Sequence, residues 1–131
     1  MDVASSRTIE IELAGERIPV ALLTEEAPKT CEAILQALPL QGTANHARLA
    51  GDEIMFPVRT FVPPENQSKA QQVGNVAYWP DRMIVCVFYG ETEGVGPTNV
   101  FGRVSGNFEG LARAGDAVWK KQGAVMRITA A

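Results

Sequence analysis

Histidine occurs once in this 131-residue chain, at His46, and cysteine twice, at Cys31 and Cys86. One histidine cannot supply the clustered imidazoles of a zinc site, and no C-x-x-C pair exists for redox or metal chemistry. Each cysteine sits in an apolar run, T-C-E-A-I-L or M-I-V-C-V-F, and reads as a buried free thiol packing as a small hydrophobe. Basic excess is missing too: 12 Lys and Arg face 15 Asp and Glu, for a net charge of −3. A nucleic-acid groove needs a concentrated basic footprint, and Lys120, Lys121 and Arg127 read as a solvated rim instead. No apolar run approaches the ~20 residues that span a bilayer. The opening M-D-V-A-S-S-R-T has no cationic stretch followed by an apolar one, so it does not read as a secretion signal. G-x-S-x-G is absent, and Gly90, Gly94 and Gly96 are not followed by G-K-[ST] and a helix, so they read as turn glycines. The expectation is a cytoplasmic protein with no metal, no cofactor, no nucleic-acid partner and no membrane partner.

What is present is strand pattern. The length fits one domain, 1–131. T-I-E-I-E-L (8–13) alternates apolar and charged residues, the period of a half-buried strand, and I-P-V-A-L-L (18–23) returns after an Ala14-Gly15-Glu16 turn. Pro19 lacks an N–H, so the second strand lies at an edge or begins pairing after it. A helix follows over 28–38: Pro28 suits its first position, Glu25 and Glu26 complement its positive end, and Cys31, Ile34, Leu35 and Leu38 form its apolar face. Strands are expected near 43–49, 52–61, 76–79, 83–89, 99–104 and 124–129, with a polar loop over 62–72 and a short helix over 107–114. About eight short strands with few helices between them point to an antiparallel barrel or sandwich.

Three stretches carry a family resemblance. E-A-P-K-T-C-E-A-I-L-Q-A-L resembles the first helix of cyclophilins; N-V-F-G-R-V-S-G-N-F-E-G-L (99–111) resembles their V-F-G-x-V strand and following helix; H-A-R-L (46–49) falls where they carry F-H-R-V. The middle, G-D-E-I-M-F-P-V and V-G-N-V-A-Y-W-P, is closer to the small prokaryotic cyclophilin-like proteins of uncharacterised function. The resemblance implies a mainly β fold: a closed eight-stranded antiparallel barrel with two short flanking helices. Fold alone implies no activity.

Cyclophilins isomerise prolyl bonds with an arginine, and Arg48 matches it. Other matching positions are changed: Phe56 stands where the family has a glutamine, Val87 near its pocket phenylalanine, Thr98 for its histidine, and Tyr78-Trp79-Pro80 for its M-A-N run. His46 shares a strand face with Arg48 if pairing is regular. Tyr78 and Trp79 alternate, so one enters the core and the other faces outward. The leading expectation is a groove lined by His46, Arg48, Phe56, Tyr78, Trp79, Val87 and Thr98 that holds a small organic anion or an extended peptide. The alternatives are a weak prolyl isomerase relying on Arg48 and a structural homo-oligomer, such as a homodimer, joined through its aromatic face.

Overall fold

The structure is a computed structural model describing residues 7–47, 50–93 and 96–131. Nine strands and two helices follow one another as β1 (Thr8–Leu13), β2 (Glu16–Leu22), α1 (Pro28–Ala37), β3 (Leu40–His46), β4 (Gly51–Pro57), β5 (Gln67–Ser68), β6 (Asn75–Trp79), β7 (Ile84–Thr92), β8 (Thr98–Val104), α2 (Phe108–Lys120) and β9 (Ala124–Ala130). Eight of the strands run in the order β2-β1-β9-β3-β4-β7-β6-β8, all antiparallel, and β8 pairs back onto β2 to close the barrel. The short β5 lies against the start of β8.

The opening hairpin behaves as its alternation dictates: Ile9, Ile11 and Leu13 are buried, and Glu10 and Glu12 are not. Ala14 and Gly15 both take positive φ, 52° and 79°, as the two-residue turns that match strand twist require. Pairing of β2 with β8 begins at Val20, the residue after Pro19. The barrel therefore closes where the missing N–H does no harm.

Helix α1 starts at Pro28 and buries Cys31 and Ile34, while Leu35 and Leu38 are only partly covered. Glu25 and Glu26 lie outside the helix and exposed. Its N-terminal donors are met by Glu65, whose carboxylate accepts from the Thr30 backbone N–H and Oγ1, each at 2.9 Å, and from the Lys29 N–H at 3.2 Å. The polar loop is thereby fastened down. Asn99, fully buried, accepts from the Glu65 N–H at 3.1 Å and donates to the Pro63 carbonyl at 3.0 Å.

The second helix is longer than its sequence suggests, running to Lys120 rather than stopping near 114. Asn107 caps it, accepting from the Gly110 N–H at 3.2 Å. Its buried face is Gly110, Leu111, Ala114, Gly115 and Val118, a helical stripe that passes straight through a glycine. Helix α2 packs on β2, β3, β4 and β7, strands spread around the barrel, so it lies across one end.

Strand β7 is apolar on both faces for a structural reason. Val85 and Val87 point into the barrel with Ile54, Phe56, Val76, Tyr78 and Phe101, whereas Cys86 and Phe88 join Ala77 and Val100 in a second cluster on its outer side. Among the described residues no helix is long and apolar enough to cross a membrane.

Candidate functional site

At the end of the barrel that α2 covers, β3 stops, β4 begins and β7 passes beneath the helix. A cavity of about 360 Å³ opens there, lined by His46, Gly51, Asp52, Tyr89, Asp116 and Trp119, with Ala47 at its edge. His46 is its best-buried polar side chain, 4 % exposed. Its Nδ1 lies 2.7 Å from the Ala47 carbonyl, and its Nε2 lies 2.6 Å from the Tyr89 hydroxyl. A carbonyl can only accept, so Nδ1 carries a proton and donates to it, while Nε2 and the Tyr89 hydroxyl share the second hydrogen bond. The backbone N–H of His46 donates to the Gln122 side chain at 2.7 Å, fixing the strand end as well.

Two aromatic rings frame this imidazole. Trp119 crosses it edge-on with ring centres 4.8 Å apart, and Tyr89 does so at 5.6 Å. Half of the Trp119 surface remains open to solvent. Tyr89 reaches His46 because it lies over Gly115 of α2, where any β-carbon would strike its ring. Asp52 is likewise seated against Gly90, whose missing side chain leaves room for the carboxylate. Burial, then the charges of Asp52 and Asp116, push the Tyr89 phenol up to about 12, so it stays protonated at neutral pH. Asp116 is held from the solvent side by Lys120 at 2.9 Å.

Glu53, next to Asp52, faces the other way. It is buried against Cys86 on the outer face of the barrel, and desolvation raises its carboxyl pKa against the opposing effects of Cys86 and His46. Burial and Glu53 together push the Cys86 thiol well above its ordinary value.

The family model described as cyclophilin-like matches residues 7–119. The chain belongs to the cyclophilin-like family. Among solved structures, the cyclophilin-like barrel superposes on a hypothetical protein from Archaeoglobus fulgidus, AF2241, with a TM-score of 0.74 and 28 % identity over 97 % of this chain and 96 % of that one. It also superposes on McbB, solved in complex with tryptophan, with a TM-score of 0.83 and 23 % identity over 92 % of this chain. It spans 44 % of the McbB chain. No relative of curated function matches it.

Against the expected groove, the cyclophilin-like barrel disperses its residues. Phe56, Tyr78 and Val87 are enclosed in the interior, each 1 % exposed or less, because strand alternation points them inward. Trp79 faces outward beneath the Arg82 guanidinium, whose carbon lies 5.5 Å from the ring centre. Thr98 is buried, its hydroxyl accepting from the Gln71 amide at 3.1 Å. Arg48 lies outside the described residues. Of the described members of the expected set, His46 alone lines the cavity, and it is joined by Asp52, Tyr89, Asp116 and Trp119, which that set omitted. His46 has both ring nitrogens engaged within the protein, and among the described residues no group of three His, Cys, Asp or Glu could hold a metal ion.

Proposed function

We propose that this cyclophilin-like domain binds a small organic molecule in the cavity beside α2 and is not a prolyl isomerase. The observation that carries the reading is the His46–Tyr89 hydrogen bond set inside a cavity of about 360 Å³ with Trp119 as an open wall. Sites for small molecules have this composition, with apolar or aromatic walls and a few polar groups fixed in advance, in a volume of roughly 300–1,000 Å³. Tyr89 and Asp52 are seated against Gly115 and Gly90, and His46 is hydrogen-bonded to the Ala47 carbonyl, so these polar groups are placed before a ligand arrives, which lowers the cost of binding. That a chain containing this fold was solved with tryptophan is consistent with the fold serving small ligands.

A hollow of about 400 Å³ beside α1, lined by Arg7, Pro28, Cys31, Glu32, Leu35 and Gln36, is a weaker candidate. It has no aromatic wall, and its thiol is turned to the Phe101 carbonyl at 3.3 Å. Isomerisation is disfavoured by the enclosure of Phe56 and Val87, since a rotating prolyl ring must be gripped in an open apolar pocket.

A thermal-shift screen of small metabolites tests the reading with native protein and the Trp119→Ala and Tyr89→Phe variants. At least one compound should raise the native melting temperature and lose that effect in Trp119→Ala, whose site is half open and tolerates truncation. Stabilisation that persists unchanged in both variants, or none from any compound, contradicts the proposal.

A further inference from the structure

The cavity side chains present hydrogen-bonding groups of nearly one kind. His46 has both ring nitrogens occupied by Ala47 and Tyr89. With Nε2 as the acceptor of that bond, the Tyr89 hydroxyl hydrogen is directed at it, and what the phenol shows a ligand is oxygen lone pairs. The Asp52 and Asp116 carboxylates are acceptors as well. With the His46 and Tyr89 hydrogens engaged within the protein, the Trp119 indole N–H is the one donor left over among the described lining side chains, and no described lysine or arginine lines the cavity. Asp116 already has a cation at its outer edge, Lys120. Asp52 is half-buried, is seated against Gly90, and forms no ion pair among the described residues.

A ligand entering such a surface must bring donors, because an acceptor facing an acceptor is left unsatisfied and repelled. A carboxylate or phosphate would meet two like charges. An ammonium group fits both requirements, with three donors and the opposite charge, and an aromatic wall attracts a cation through the ring face. We infer that the ligand of this cavity is a small primary amine with an aromatic or branched apolar body, its ammonium group held by Asp52 and the Tyr89 oxygen and its body laid along Trp119. This rests on the reading of the cavity as a small-molecule site, and it names a cation where the sequence pointed to a small organic anion or an extended peptide.

Three matched probes separate the two layers of the argument: 2-phenylethylamine, 2-phenylethanol and 3-phenylpropionate, titrated calorimetrically into native protein and into Asp52→Asn. The amine should bind about tenfold or more tightly than the alcohol, with the propionate weakest. Asp52→Asn should remove most of the amine's advantage over the alcohol, and an unchanged circular-dichroism melting curve shows that the variant is folded. Equal binding of amine and alcohol, or preference for the propionate, overturns the ammonium assignment and leaves the cavity reading standing. Failure of all three to bind native protein overturns both.

Discussion

The ring of Tyr89 lies against the bare α-carbon of Gly115, at a point where any β-carbon would collide with it. This contact lets β7 and α2 approach closely and carries the phenol to His46. Alanine favours a helix interior over glycine by about 1 kcal/mol, so at an open position Gly→Ala would stabilise α2. Here the overpacking term, about 1–3 kcal/mol, opposes that gain. Gly115→Ala should therefore lower the urea midpoint and change the NMR environment of Tyr89. A stabilised variant with an unmoved Tyr89 would contradict the packing account.

Glu53 predicts a pH dependence. Its folded-state pKa is raised by burial above the ordinary 4.5. Between those two values the folded state binds more protons than the unfolded one, so this group's contribution to stability falls as pH rises through the window and is fully lost above the folded pKa. Glu53→Gln keeps the shape and removes the charge. The stability difference between Glu53→Gln and native protein should be small near pH 4 and favour the variant increasingly toward pH 8. A difference that is constant with pH would sink this interpretation.

Thiol chemistry is expected to be slow. Cys31 and Cys86 are both buried, and burial pushes the Cys31 thiol up to about 11. The thiolate is the reacting species, and neither residue supplies it at neutral pH in an accessible place. A disulfide reagent should label neither in native protein within minutes and both in denaturant. Rapid native labelling of either would show that its burial is not maintained in solution.

Prolyl isomerase activity should be absent or far below that of an ordinary cyclophilin. The uncatalysed barrier is about 18–20 kcal/mol, and it falls only through contacts better made at the twisted transition state. One arginine, Arg48, is retained, while Phe56 and Val87 are sealed in the interior. An X-Pro peptide assay with native protein and Arg48→Ala checks this. A large acceleration abolished by the substitution would make the protein an isomerase.

The barrel was legible because its signals are local. Alternation at 8–13, the Ala14-Gly15 turn and the restriction at Pro19 each state their structure within a few residues. The site was less legible because it depends on long-range contacts. Gly115 suggests a helix end when read alone, yet Leu111, Ala114, Gly115 and Val118 continue one helical stripe, and following it would have brought Trp119 into α2. Alternation separated Tyr78 from Trp79 correctly. It could not show that Phe56 and Val87 share the inner face, since their runs are apolar on both sides. Nor does any spacing reveal that Tyr89, 43 positions from His46, meets it. The anchoring of α1 by Glu65 is equally non-local, whereas Glu25 and Glu26, adjacent in sequence, stand outside the helix and exposed.

The chain's two tryptophans allow one experiment to decide where a ligand sits. Trp119 lines the cavity beside His46, and Trp79 lies on the outer face under Arg82. Their indole N–H resonances should be followed in a nitrogen-15 correlation spectrum while 2-phenylethylamine, or any compound that stabilises the protein, is titrated in. The account predicts a saturable shift of the Trp119 signal with the Trp79 signal unmoved. A shift of Trp79 with Trp119 unchanged would place binding on the outer face and contradict it.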